Sequence, residues 1–85
     1  MNAIWKFPLS PLRANVIQAP GVFRPIAAQM QDDQLTLWAI VQPGLPLYPR
    51  HIHVVGTGHH FDAQDLLHID TVQDGGMVWH VFTDA

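Results

Sequence analysis

The chain contains no cysteine and no glutamate, and each absence excludes a class of chemistry. Without cysteine there are no disulfides, no zinc–thiolate or iron–sulfur sites and no thiol nucleophile. Without glutamate, every side-chain carboxylate must come from one of the seven aspartates. Ser10 is the only serine, and it lacks the glycine-flanked turn that exposes a serine nucleophile. The sequence therefore gives little support to thiol or serine catalysis.

Basic residues are also few, because four lysines and arginines stand against seven aspartates and give a formal charge of −3. No basic stripe is present that would follow a phosphate backbone, so we expect no direct nucleic-acid binding. Long apolar runs and a signal-peptide pattern are missing too, so we expect no membrane association and a cytoplasmic protein. Only 13% of the residues are charged. Much of the surface must be neutral or apolar, which favours a homo-oligomer or a partner-binding face.

The chain is short and rich in residues that interrupt helices. Its 85 residues predict a single domain, 1–85. Seven prolines and six glycines divide it into short segments, which favours strands and turns over long helices. We therefore predict an all-β fold, a small antiparallel sandwich or partly closed barrel. A β-rich α+β fold is the alternative.

Alternation of apolar and polar residues locates about seven short strands. They are predicted at 3–7, 15–19, 23–31, 35–42, 50–55, 68–73 and 77–83. Asp62 is a good helix N-cap, so one helical turn is predicted near 62–67. The proline-rich segment 43–49 is predicted to be a loop, because proline fixes φ and lacks an N–H donor.

The predicted strand 35–42 has apolar residues on both faces. Leu35, Leu37 and Val41 share one face, whereas Trp38 and Ile40 lie on the other. Such a strand is covered on both sides, which in a small domain indicates either the centre of a sheet or an interface. Of the three tryptophans, we expect at least two to anchor the core and one to be a contact residue.

Four of the six histidines fall within 50–60. His51 and His53 alternate along a strand and therefore face the same side, where they would bind one metal ion together. His59, His60, His80 or an aspartate would have to complete the site. The pattern is similar to the His-x-His of cupin barrels, but the glutamate that should follow is absent. We therefore expect no cofactor, and a metal site at His51 and His53 is the alternative. His80 is expected to be a hydrogen-bonded core or interface residue.

The segment 56–60, GTGHH, has the composition of an anion-binding turn. Glycines let backbone N–H groups point at a phosphate, while Thr57 and His59 add side-chain donors. The segment is neither a P-loop nor a dinucleotide fingerprint, and a plain strand-ending turn is the commoner structure for it. Arg50, Arg24 and Arg13 are the only guanidinium groups that would reinforce anion binding.

The proline-rich segment carries three apolar side chains, those of Leu45, Leu47 and Tyr48. Prolines restrict the backbone, which lowers the entropy lost when such a segment binds a partner. The alternative is a packed connection that covers a sheet edge. We favour an exposed apolar contact.

Four segments with characteristic sequences suggest a family relationship: 4–9 (IWKFPL), 37–41 (LWAIV), 55–59 (VGTGH) and 78–82 (VWHVF). With them the chain resembles a family of short uncharacterised proteins encoded in bacteriophage and prophage genomes. His60 stands where the resemblance leads us to expect proline. The resemblance implies a viral accessory protein, and small proteins of this kind often inhibit host defence by occupying a defence protein or by sequestering a nucleotide signal.

Three functions follow as hypotheses. The first is a non-enzymatic accessory protein, a homo-oligomer, that inhibits or sequesters a host protein by direct contact. The second is a binder of a phosphate-bearing small molecule or nucleotide signal through 50–60, and the third is a histidine–metal enzyme. The residues expected to contact the partner or ligand are Arg50, His51, His53, Gly56, Thr57, Gly58, His59, His60, Leu45, Leu47 and Tyr48.

Overall fold

The computed structural model describes residues 1–11 and 14–85, and these contain seven β-strands. The strands are β1 (Ala3–Pro8), β2 (Asn15–Pro20), β3 (Phe23–Gln31), β4 (Gln34–Val41), β5 (Leu47–Gly56), β6 (Leu66–Asp74) and β7 (Met77–Asp84). They pair antiparallel in a three-stranded sheet, β1-β4-β3, and a four-stranded sheet, β2-β5-β7-β6. The two sheets do not close into a barrel. The predicted all-β sandwich is confirmed.

The core lies between the two sheets and follows the alternation of β4. Leu35, Leu37, Ala39 and Val41 are each at most 2% exposed. They pack with inward residues of the four-stranded sheet, among them Ile52, Val72 and Val81. Because successive side chains of a strand point to opposite faces, the alternation in 35–41 specifies which face of the three-stranded sheet is buried.

The outer face of β4 is different, since no described element covers it. β4 lies between β1 and β3, so its predicted place at the centre of a sheet is confirmed. On the outer face Trp38 lies between Lys6 and Ala27, and Ile40 lies beside Ile4. Trp38 and Ile40 are half-buried, and Ile4 is exposed.

The tryptophans also depart from expectation. Trp79 is buried at 6% exposure, whereas Trp5 on the edge strand β1 is 38% exposed and Trp38 is half-buried. The expectation that at least two tryptophans anchor the core is therefore wrong. The physical reason is position: β1 has a neighbour on one side only, so the large ring of Trp5 extends past the edge of the core.

The predicted helical turn near 62–67 is wrong. The Asp62 carboxylate does accept a hydrogen bond from the Gln64 N–H (2.9 Å), as an N-cap would. The chain then turns instead of continuing as a helix, because Asp65 takes a left-handed conformation (φ 61°) and β6 begins at Leu66. A single helical turn makes too few hydrogen bonds to compete with the pairing of Leu66 and Leu67 to β7. In the described residues no helix is long and apolar enough to cross a membrane.

The predicted loop 43–49 is also partly wrong, since its last three residues belong to β5. Pro49 pairs opposite Gln18 of β2. The pairing of β5 with β7 begins only at Ile52, so the first half of β5 has a neighbouring strand on one side. Pro49, which has no N–H donor, is tolerated there because the side of β5 away from β2 has no hydrogen-bond ladder to interrupt.

The sheets meet at one edge through β3 and β6, which contact each other across the sandwich. Each strand carries an irregularity in its register, between Pro25 and Ala27 in β3 and between His68 and Asp70 in β6. The Ala28 N–H donates to Oδ2 of Asp70 (3.1 Å), and the second carboxylate oxygen accepts from a β6 backbone N–H (2.9 Å). Asp70 therefore connects the two sheets.

We predict that Asp70→Asn lowers the free energy of unfolding by about 1–3 kcal/mol, because an amide has one acceptor oxygen and its NH₂ group would face an N–H donor. The measurement is urea unfolding. Asp32→Asn is the matched control: it removes the same charge from an exposed turn position with φ 50°, which asparagine adopts readily. Equal unfolding midpoints for the two variants would contradict the role of Asp70.

Candidate functional site

The alternation along β5 separates the predicted site residues into two groups. Ile52 is buried in the core, so Arg50 lies on the inward side with it, while His51 and His53 lie on the outer face of the four-stranded sheet. His51 is exposed and His53 is half-buried. The two histidines do share a face, but the arginine that was expected to work with them is on the opposite side of the strand.

The outer-face histidines do not form a metal centre within the described residues. His53 Nε2 lies 2.7 Å from Oδ1 of Asp84, in a pair whose side chains are 41% and 56% exposed. This contact occupies one of the two ring nitrogens through which His53 could bind a metal ion, and at such exposure it contributes little to stability. No group of three or more His, Cys, Asp or Glu side chains comes close enough to hold a metal ion in residues 1–11 and 14–85.

A hydrogen-bonded chain of side chains crosses the same face. Thr57 Oγ1 lies 2.7 Å from His80 Nε2, and His80 Nδ1 lies 3.1 Å from Thr71 Oγ1. Thr71 Oγ1 in turn lies 2.9 Å from His68 Nε2. His80 is thus fully hydrogen-bonded, but on the outer face and not in the core. Sequence reasoning missed the chain because its members come from β6, β7 and the turn after β5, and only the strand register aligns them.

The segment 56–60 forms a tight turn in which two backbone donors are engaged. The Thr57 N–H donates to the Val78 carbonyl (3.2 Å), and the His59 N–H donates to the Gly56 carbonyl (3.0 Å). Gly58 takes a positive φ of 89°, which glycine adopts without strain. A phosphate cradle needs several N–H groups that converge on the ligand. An anion bound through the Thr57 and His59 N–H groups would have to replace both hydrogen bonds.

A groove of about 410 Å³ runs beside His51 and His53. Its other wall includes Phe61 and Asp62, and the Phe61 ring packs against Phe82 with 5.4 Å between the centroids. The turn at 56–60 does not line this groove, and the exposed His60 belongs to the turn. The structure therefore distributes the predicted residues over a groove, a turn and an inward-facing arginine.

Arg50 has a clear structural role. Its Nη2 donates to the carbonyls of Pro20 (3.1 Å) and Gly21 (2.9 Å), and its guanidinium lies 5.4 Å from the Phe23 ring centroid. These contacts hold the turn between β2 and β3. Arg24 is exposed. The third predicted arginine, Arg13, lies outside the described residues.

The apolar residues of 43–49 lie on the surface, where we expected them. Leu45 is 36% exposed, Leu47 is 57% and Tyr48 is 51%. Tyr48 and Leu45 lie beside the turn between β2 and β3, since a Cβ at Gly21 would lie 3.5 Å from Tyr48 Cε2 and 3.9 Å from Leu45 Cδ1. We call the exposed apolar residues at this end of the sandwich the apolar end surface: Val22, Leu45, Leu47 and Tyr48.

The sequence matches one family model over residues 1–85, the model described as Domain of unknown function (DUF7352). No curated protein and no solved structure matches the chain.

Gly56→Ala is predicted to lower the free energy of unfolding by about 1–3 kcal/mol. The added Cβ would lie 3.1 Å from the His59 ring and 3.2 Å from Trp79 Cζ3, and the buried Trp79 ring is held by its hydrogen bond to Asp74 (3.2 Å). Gly76→Ala is the control, because no atom lies within 4 Å of its added Cβ. Thermal unfolding measures both, and a Gly56→Ala variant as stable as Gly76→Ala would contradict the packing of the turn.

Proposed function

We propose that this chain, which belongs to the DUF7352 family, is a non-enzymatic binding protein of phage type that inhibits or sequesters a host factor by protein–protein contact. The observation that supports the proposal is the apolar end surface, with Val22, Leu45, Leu47 and Tyr48 all exposed at one end of the sandwich. Exposed apolar side chains that lie together are typical of a contact surface.

The apolar end surface is rigid before any partner binds. Leu47 and Tyr48 belong to β5 and pair with β2, opposite Pro20 and Ala19. Arg50 fixes the adjoining turn through two carbonyl groups. Little conformational entropy would be lost on association, which raises the affinity that a given contact area provides. Tyrosine is also among the residue types that contribute most to binding energy at interfaces.

A protein partner fits this end better than a purely apolar ligand. The first half of β5, residues 47–51, pairs with β2 but not with β7, so one side of the strand is left without a neighbouring strand among the described residues. A polypeptide supplies backbone groups for such an edge as well as apolar side chains. The exposed His51, and the exposed His59 and His60 beyond it, extend this contact toward the turn as a polar rim.

Self-association is part of the proposal, through a second surface. The outer face of the three-stranded sheet presents Ile4, Trp38 and Ile40 in one row of neighbouring positions, with Ala27 beside Trp38. Ile4 is 60% exposed. A sheet face of this composition is normally covered, and a second copy of the same sheet would cover it by face-to-face packing.

Leu47→Asp is predicted to abolish capture of the host factor, because it places a charge at the most exposed residue of the apolar end surface. Affinity capture from a bacterial lysate, followed by titration with the purified captured protein, measures the loss. Met77→Asp is the matched control: Met77 is also exposed, and it lies at the other end of the four-stranded sheet. If both variants retain the same protein with equal affinity, or both lose it, the apolar end surface is not the contact.

Ile4→Asp is predicted to convert an oligomer into a 9.5 kDa monomer, because a buried unpaired carboxylate at the sheet face would be strongly unfavourable. Light scattering at micromolar concentration measures the mass. Val16→Asp changes an equally accessible residue of another edge strand, β2, and is expected to leave the mass unchanged. A monomeric wild-type protein would overturn the proposed self-association.

A further inference from the structure

A cleft of about 510 Å³ lies near the middle of the sandwich edge, where the first half of β5 extends past the end of β7. Its walls come from the beginning of β3, from β5 residues 49–51 and from the beginning of β6, with Thr83 and Asp84 of β7 between them. The register irregularities of β3 and β6 both adjoin it. Irregularities of this kind bend a strand and redirect its side chains, and they are frequent beside binding sites.

The cleft has a local excess of one positive charge, two arginines against one aspartate, on a protein whose net charge is −3 with histidines neutral. Two of the four basic residues of the chain, Arg24 and Arg50, line it, together with His51 and His68. One aspartate, Asp84, also lines it, and that carboxylate is already paired with a histidine at 2.7 Å. The cleft is therefore the place where this acidic protein would attract an anion.

Two of these groups have donors to offer. Arg24 and His51 are exposed and form no hydrogen bond or ion pair with the described residues. Arg50 is already fixed in place by two carbonyl groups, and its Nε is buried without a hydrogen-bond partner in that part of the chain. A positive charge held in position by the fold binds an anion at little entropic cost.

The rest of the cleft is apolar. Pro25, Pro49, Leu67 and Ile69 line it, and Leu67 is 56% exposed. A cleft of several hundred cubic ångströms that combines apolar walls with a few charged groups is typical of sites for small organic ligands. A bare inorganic ion would leave these walls in contact with water, so the lining favours a ligand with an apolar body.

We infer that this cleft binds a small organic phosphate, with the phosphate group near the exposed Arg24 and His51 and an apolar ring against Leu67 and Pro49, while Arg50 adds its charge to the same cleft from the inward side of β5. A phosphate group offers three acceptor oxygens, which matches the number of cationic or donor groups better than a carboxylate does. This site goes beyond the protein contact proposed above. It is also distinct from the glycine turn at 56–60, in which two backbone donors are engaged.

Phenyl phosphate is the probe, and its binding is followed by the amide chemical shifts of the ¹⁵N-labelled protein. Saturable shifts are expected at Arg24, His51 and 67–69, and not at 56–60. Benzoate keeps the ring but has a carboxylate in place of the phosphate, so it tests the contribution of the phosphate group. Inorganic phosphate lacks the ring and tests the contribution of the ring. Both are expected to bind more weakly than phenyl phosphate. Arg24→Gln is expected to weaken phenyl phosphate binding roughly tenfold or more, the effect of losing one hydrogen bond to a charged group.

Lys6→Gln is the control, because it removes the same charge from a residue outside the cleft, whose Nζ donates to Gln31 Oε1 (2.9 Å). An equal loss in Lys6→Gln would reduce the binding to general charge attraction and overturn the site. Three other results would also overturn the site: chemical-shift changes centred on 56–60, benzoate binding as tight as that of phenyl phosphate, or phenyl phosphate binding that does not saturate by about 10 mM. His51→Gln provides a second variant, since it breaks no hydrogen bond with the described residues.

Discussion

The face-to-face packing of the two sheets is the constraint on which the rest of this small protein depends. β4 contributes its alternate residues, from Leu35 to Val41, to one side of the core, and Ile52 and Val81 of the other sheet pack against them. A domain of this size buries only a modest apolar area and has no disulfide to assist it. Every inward position must therefore be filled, and the functional groups are left to the outer faces and the open ends.

This constraint explains why β5 is the strand on which both proposed sites depend. Its second half pairs with β7, and Ile52, which has a partner in both β2 and β7, lies in the core. Its first half extends beyond β7 and carries Leu47 and Tyr48 of the apolar end surface on opposite faces of the strand. The same extension forms a wall of the basic cleft through Arg50. A single strand thus couples a rigid core to two exposed surfaces.

The histidines illustrate how a sequence cluster differs from a spatial one. His51 and His53 are two residues apart and do share a face, but His53 pairs with Asp84 from the far end of the chain. His80 was expected to be a hydrogen-bonded core or interface residue, and it bridges Thr57 and Thr71 on the outer face. Side chains that meet across a sheet are brought together by strand register, and register depends on pairings between segments distant in sequence.

The sequence by itself determined the fold class, the seven strands and the inward face of β4, because alternation along a strand is a local property that burial must respect. It also identified Leu45, Leu47 and Tyr48 as surface residues.

Only the tertiary structure decided that 47–49 is a strand and that no helical turn forms near 62–67, since both depend on partners in β2 and β7. It alone also brought two arginines and two histidines to one cleft, because three separate strands contribute them and no local pattern records their proximity.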